Sequence, residues 1–104
     1  MSNQIFKSSI RKSSDWGVTF EDDGETGYFY LCKIIDGEPN IQDHIHIYTS
    51  NPGLREADIS IMWSPDWNKA ALFIKGEPWA MYDIENQTKE GGMFVVDGKS
   101  TVTL

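Results

Sequence analysis

The densest group of residues that could do chemistry is the acidic turn Glu21-Asp22-Asp23-Gly24-Glu25, because clustered carboxylates can bind calcium. An EF-hand loop places oxygen ligands at positions one, three and five, glycine at position six and glutamate at position twelve. With Gly24 at position six, Thr19 and Tyr30 occupy positions one and twelve, so neither has the required carboxylate. The pattern therefore favours a solvated hairpin turn over a calcium site.

A second candidate is the pair His44 and His46, which could supply two imidazoles to zinc from one face of a strand. A zinc site needs a third and usually a fourth ligand, and the chain has no other histidine. Asp43 is expected on the opposite face, and Cys32 on another strand. We therefore expect no metal and no cofactor, and two half-exposed histidines that could make binding sensitive to pH.

Cys32 is the only cysteine, so it cannot form an intramolecular disulfide, and it is the one candidate thiol nucleophile. Acidic turns are expected at both ends of its strand, and nearby negative charge disfavours a thiolate. A buried structural cysteine is the better interpretation. The chain also lacks a Gly-x-Ser-x-Gly nucleophile motif and a glycine-rich phosphate loop. The sequence thus predicts that the protein is not an enzyme, although paired carboxylates for glycoside chemistry stay open.

These residues must be positioned by strands, because runs of alternating apolar, aromatic and β-branched residues dominate the chain. One helical turn is possible at residues 54–57, and residues 1–14 form an N-terminal arm or an edge strand. We predict a mainly β fold: a single domain over residues 1–104, with about seven or eight short antiparallel strands in a bent sheet, a sandwich or a partly open barrel. The predicted strands are 16–20, 28–35, 41–48, 58–63, 69–74, 79–84, 92–97 and 101–104.

The negative charge is concentrated in residues 13–68, which carry eleven acidic and two basic side chains of a chain with net charge −7. This balance disfavours binding to nucleic acids and to anionic membranes, since both are bound through clusters of Lys and Arg. No signal peptide and no membrane-spanning apolar run is present, so a cytoplasmic location is expected.

A basic protein is the expected partner of this acidic surface, with solubility as the rival explanation of the charge. Trp67 lies in a polar loop, where it either anchors a partner or folds back over a sheet edge. The residues predicted to contact the partner are Glu21, Asp22, Asp23, Glu25, Asp36, Glu38, Asp43 and Trp67.

Three segments carry a resemblance to a known family: Phe20-Glu-Asp-Asp-Gly-Glu-Thr-Gly-Tyr-Phe-Tyr30, His44-Ile-His-Ile-Tyr48, and Trp63-Ser-Pro-Asp with the strands that follow it. Over roughly residues 16–84 the chain resembles a family of small bacterial proteins catalogued as a domain of unknown function, DUF2251. The resemblance implies a bacterial, cytoplasmic, β-rich domain and carries over no catalytic residue.

Small, acidic, solitary bacterial proteins are also similar in character to the immunity proteins that neutralise interbacterial toxins. We therefore expect an immunity-type inhibitor that covers the basic active site of a cognate toxin, such as a nuclease. The alternatives are a small-ligand-binding or metal-dependent enzyme domain, and a structural homodimer formed at a sheet edge.

Overall fold

The computed structural model describes residues 4–94 and Val102, which include two four-stranded antiparallel sheets. The first sheet contains β1 (Ile5–Ile10), β2 (Trp16–Asp22), β3 (Gly27–Ile35) and β4 (Glu38–Tyr48). The second contains β5 (Ile59–Trp63), β6 (Lys69–Ile74), β7 (Glu77–Asp83) and β8 (Thr88–Gly91). In both sheets the spatial order is the chain order, and one turn of 3₁₀ helix, Glu56–Asp58, precedes β5.

The prediction of a mainly β fold with seven or eight antiparallel strands and at most one helical turn is confirmed. Residues 5–10 form an edge strand of the first sheet. The sequence did not predict β8. Of the strands predicted at 92–97 and 101–104, only residues 92–94 and Val102 lie in the described part, and none of these is in a strand. Within the described residues, no helix is long and apolar enough to cross a membrane.

Two-residue turns connect neighbouring strands where the sequence places a glycine second. Asp36 and Gly37 join β3 to β4 with φ of 53° and 79°, and Lys75 and Gly76 join β6 to β7 with φ of 51° and 82°. Positive φ at both positions is typical of type I′ turns, whose twist matches that of the strands they join. These turns therefore help to fix the strand register by local chemistry.

The two sheets pack face to face and share one core, so the arrangement is a sandwich. The Tyr82 hydroxyl donates a hydrogen bond of 2.6 Å to the Phe29 carbonyl and ties the sheets together inside the core. At the sheet edges, Lys7 Nζ donates to the Ile59 carbonyl at 2.7 Å. The largest fully buried apolar side chains come from both sheets: Phe20, Phe29, Ile47, Ile59, Leu72, Ile74 and Tyr82.

Candidate functional site

The outer face of the first sheet presents rows of side chains to which all four strands contribute. Strand register aligns these residues, and they alternate with the buried residues of the inner face. The first row is Phe6, Glu21, Tyr28 and His46, and the second row is Ser8, Thr19, Tyr30 and His44. We call these two rows the outer face.

Tyr28 is the centre of an aromatic cluster on this face. Its ring stacks on His46 with centroids 4.9 Å apart and on Tyr30 with centroids 5.8 Å apart. The ring of His44 meets Tyr28 edge to face at 5.7 Å. Beyond Glu21 on the same face, Phe6 is 63% exposed. Because these rings restrain one another, the cluster is a preformed apolar surface that loses little side-chain entropy when a partner binds.

Glu21 places a carboxylate between the two aromatic groups of the first row. Its side chain is exposed, and within the described residues it makes no hydrogen bond or ion pair. The two lysines in the strands of this sheet make other contacts: Lys7 donates to the Ile59 carbonyl of the second sheet, and Lys33 lies over the Trp16 ring. The outer face is therefore aromatic and negative, with no Lys or Arg in its rows.

The pKa shifts of two groups at this end of the sheet reflect the negative charge and the hydrogen bonds around them. Burial, followed by the nearby charge of Glu21, raises the pKa of the Tyr30 hydroxyl. The turn between β2 and β3 adds the exposed side chains of Asp23 and Glu25 to the same end of the sheet. The backbone amides of Thr26 and Glu25 donate to the Asp23 carboxylate and lower its pKa, so Asp23 stays ionised well below neutral pH.

Asp22 does not belong to this surface, although it is among the residues predicted to contact a partner. Only 1% of its surface is exposed, because strand alternation directs it inward between Glu21 and Asp23. Its carboxylate accepts hydrogen bonds from the Tyr48 hydroxyl at 2.6 Å, from Asn51 Nδ2 at 2.8 Å and from the Gly24 amide at 2.8 Å. Asp22 therefore holds the acidic turn in place from inside.

Tyr48 does not share the outer face with His44 and His46, although strict strand alternation would place it there. Tyr28 pairs with His46 and Gly27 pairs with Tyr48, so Ile47 is an extra residue that forms a bulge. After the bulge, Tyr48 points inward and its ring covers Gly27. Burial, followed by the hydrogen bond to Asp22, raises the pKa of the Tyr48 hydroxyl, which therefore remains a donor.

The other predicted contact residues do not join the acidic turn in one surface. Asp36 and Glu38 lie at the opposite end of β3, a strand of nine residues that is about 30 Å long. Asp43 pairs with Lys89 at 2.7 Å, and this hydrogen bond lowers the pKa of its carboxyl. Of the predicted set, only Glu21, Asp23 and Glu25 share one exposed end.

Trp67 lies in the loop that joins β5 to β6 in the second sheet. It is 36% exposed, and its ring lies 5.7 Å from that of Trp63. Trp63 in turn donates from Nε1 to Ser9 Oγ at 2.8 Å. Ser9 pairs with Val18 on β2, four residues before Asp22. The Trp67 loop, which lies beside Trp63, is therefore displaced along the sandwich from the acidic turn.

The two histidines and Cys32 lie apart from any cluster of possible metal ligands in the described residues. No group of three His, Cys, Asp or Glu side chains there could hold a metal ion, and both histidines pack on Tyr28 instead. Cys32 is buried, as predicted. Burial itself, rather than the acidic turns invoked from the sequence, raises the pKa of its thiol.

A groove of about 340 Å³ lies where β3 and β4 approach the turn after β7. Its ionisable side chains are hydrogen-bonded to other groups: Asp43 to Lys89, Asp83 to Asn68, and the Tyr82 hydroxyl to the Phe29 carbonyl. Both carboxylates of the groove therefore have partners within the chain. The outer face of the first sheet is therefore the better candidate site.

Fold and face together define a small all-β sandwich with an exposed aromatic and acidic sheet surface. A family model described as "Uncharacterized protein conserved in bacteria (DUF2251)" matches residues 1–91, and the chain belongs to this bacterial family. This confirms the resemblance noted over residues 16–84 and extends it to both sides.

The chain is also similar to an uncharacterized protein of Haemophilus influenzae, with 39% identity over 71 residues. The match covers 65% of this chain and 44% of the relative, so this chain corresponds to less than half of that protein. No solved structure matches the chain.

Proposed function

We propose that the protein is a binding module that docks a basic protein, and that it acts as an immunity-type inhibitor covering the basic active site of a cognate bacterial toxin, such as a nuclease. The observation that carries the proposal is the exposed end of the first sheet, where Glu21, Asp23 and Glu25 adjoin the aromatic outer face. Interfaces of this kind combine aromatic anchors with charge complementarity.

The charge of this end suits rapid encounter with a cationic surface. Complementary charge can raise association rates toward about 10⁸–10⁹ M⁻¹s⁻¹ at low salt, and it also suppresses wrong partners. The partner would meet a rigid surface, because Asp22 anchors the turn with three hydrogen bonds and the rings of the outer face restrain one another. A rigid docking surface lowers the entropy cost of binding.

Asp36 and Glu38 act at longer range in this proposal. They lie at the far end of β3 and contribute to the negative field of the whole molecule rather than to the same contact. At physiological ionic strength the Debye length is about 8 Å, so charges about 30 Å away are strongly screened. Their main effect is therefore on solubility.

The test begins with immobilised protein exposed to a lysate of the source bacterium, and the captured proteins are identified by mass spectrometry. The captured protein, produced alone, is then mixed with the inhibitor while the association rate is measured from about 0.01 to about 1 M salt, over which the Debye length falls from about 30 to about 3 Å. We expect the rate to fall at least about tenfold over this range. A rate independent of salt would refute docking by charge complementarity.

A charge-reversed triple variant locates the contact. Replacing Glu21, Asp23 and Glu25 with lysine should abolish capture, whereas the double change Asp36→Lys and Glu38→Lys at the far end, which reverses two charges instead of three, should leave most of the affinity. Equal losses of affinity in the two variants would show that the acidic end is not the contact. For the immunity role, the captured protein must be toxic when expressed alone, and co-expression with the wild-type chain must restore growth.

A further inference from the structure

The first row of the outer face holds a carboxylate between two aromatic side chains. Glu21 is directly opposite Phe6 on β1 and Tyr28 on β3. Directly opposite residues have Cβ atoms about 4.5–5.5 Å apart, so one ligand group can touch all three side chains. Phe6 is 63% exposed and Glu21 is also exposed, so this position is open to solvent.

The chemistry of this position selects among possible occupants. An apolar group would desolvate the carboxylate of Glu21 without replacing its hydrogen bonds, and an anion would be repelled. A cation is favoured by both the carboxylate and the aromatic faces. Within the described residues no Lys or Arg of the chain itself pairs with Glu21, so the cation must come from a partner.

Between the two cationic side chains, the geometry favours arginine. A guanidinium is planar, stacks on aromatic rings and donates two parallel hydrogen bonds to a carboxylate, whereas an ammonium is a strongly hydrated point charge. We propose that the first row binds an arginine side chain of a protein partner, with the guanidinium bonded to Glu21 and stacked against Tyr28 or Phe6. This inference rests on the proposed function, because it names the group through which the basic partner is held.

The test uses a short oligoarginine peptide and an oligolysine peptide of equal length and charge as probes. Each is titrated into isotopically labelled protein while amide chemical shifts are recorded. We expect the arginine peptide to bind about fivefold to tenfold tighter, since only guanidinium combines stacking with bidentate bonding. The largest shifts should fall at Phe6, Glu21, Tyr28 and His46. Equal affinity for the two peptides would overturn the proposal.

Matched variants separate this site from general attraction to an acidic protein. Glu21→Gln should remove most of the preference for arginine over lysine, whereas Glu38→Gln, the same change at the far end of the sheet, should keep it. Phe6→Ala, at an exposed position, should weaken the arginine peptide about twofold to fivefold without unfolding the chain. If Glu38→Gln loses as much preference as Glu21→Gln, the arginine site is wrong.

The outcomes also distinguish this proposal from the function on which it rests. If the triple reversal at the acidic end abolishes capture of the partner but Glu21→Gln leaves the peptide preference unchanged, docking stands and the arginine site fails. If peptide preference follows Glu21 but capture of the partner is insensitive to salt and to charge reversal, the arginine site stands and the proposed function fails.

Discussion

The buried hydrogen bond from Tyr48 to Asp22 should be a major source of stability, and Tyr48→Phe tests it. The substitution removes one oxygen and leaves the ring in place over Gly27. A hydrogen bond to a charged group is worth about 1.5–3 kcal/mol. Because Asp22 keeps its bonds from Gly24 and Asn51, we expect a loss near the middle of this range, about 2 kcal/mol.

Urea denaturation followed by tryptophan fluorescence measures this loss. With an m-value of about 1.5 kcal/mol/M, a loss of about 2 kcal/mol lowers the midpoint by about 1.3 M at unchanged slope. The matched control is Tyr28→Phe, which removes a hydroxyl on the outer face and should change stability by less than about 0.5 kcal/mol. Equal effects of the two variants would refute the argument that Asp22 is held by Tyr48.

Three further predictions concern packing, reactivity and acid stability. Gly27→Ala should destabilise the fold by about 1–3 kcal/mol, because the added Cβ would lie 2.7 Å from the Tyr48 ring. Thermal unfolding measures this loss of stability, and an unchanged Tm would contradict the tight packing of Tyr48 on Gly27. Cys32 should react with a thiol reagent far more slowly in native protein than in denaturant, since burial raises its pKa; similar rates would mean that the thiol is accessible. Hydrogen bonds from Asn86 lower the pKa of Asp83 in the folded protein. The contribution of Asp83 to the free energy of unfolding is therefore present above the unfolded pKa of about 3.9 and is lost as the pH falls through the lower native pKa. Urea unfolding at a series of pH values should therefore show a weaker decline below about pH 4 in Asp83→Asn than in wild type, and parallel declines would count against this role.

Several elements could be predicted from sequence because their causes are local. The β6 strand was predicted with its observed bounds, and the turn at Asp36 and Gly37 lies where an acidic turn was expected after the strand predicted at 28–35. Alternation and turn chemistry act over a few neighbouring residues, so a single chain segment displays them. In contrast, β8 consists of four exposed residues and forms by pairing with β7, which leaves little local signal.

The candidate site was only partly predictable. The acidic turn was found, but Phe6 and Tyr28 were not recognised as members of one surface with Glu21. Alternation along each strand could have suggested an outward aromatic face, with His44 and His46 on it. The rows themselves depend on the register between four strands, which no single segment contains.

The sequence by itself determined most of the strands, the acidic turns and the concentration of acidic residues in one half of the chain, because composition and alternation are properties of neighbouring residues. The tertiary structure decided which acidic residues act together. Strand alternation turned Asp22 inward, the bulge at Ile47 brought Tyr48 to it, and the length of β3 separated Asp36 from the acidic turn. These outcomes follow from the pairing and packing of whole strands, so they exist only in the folded molecule.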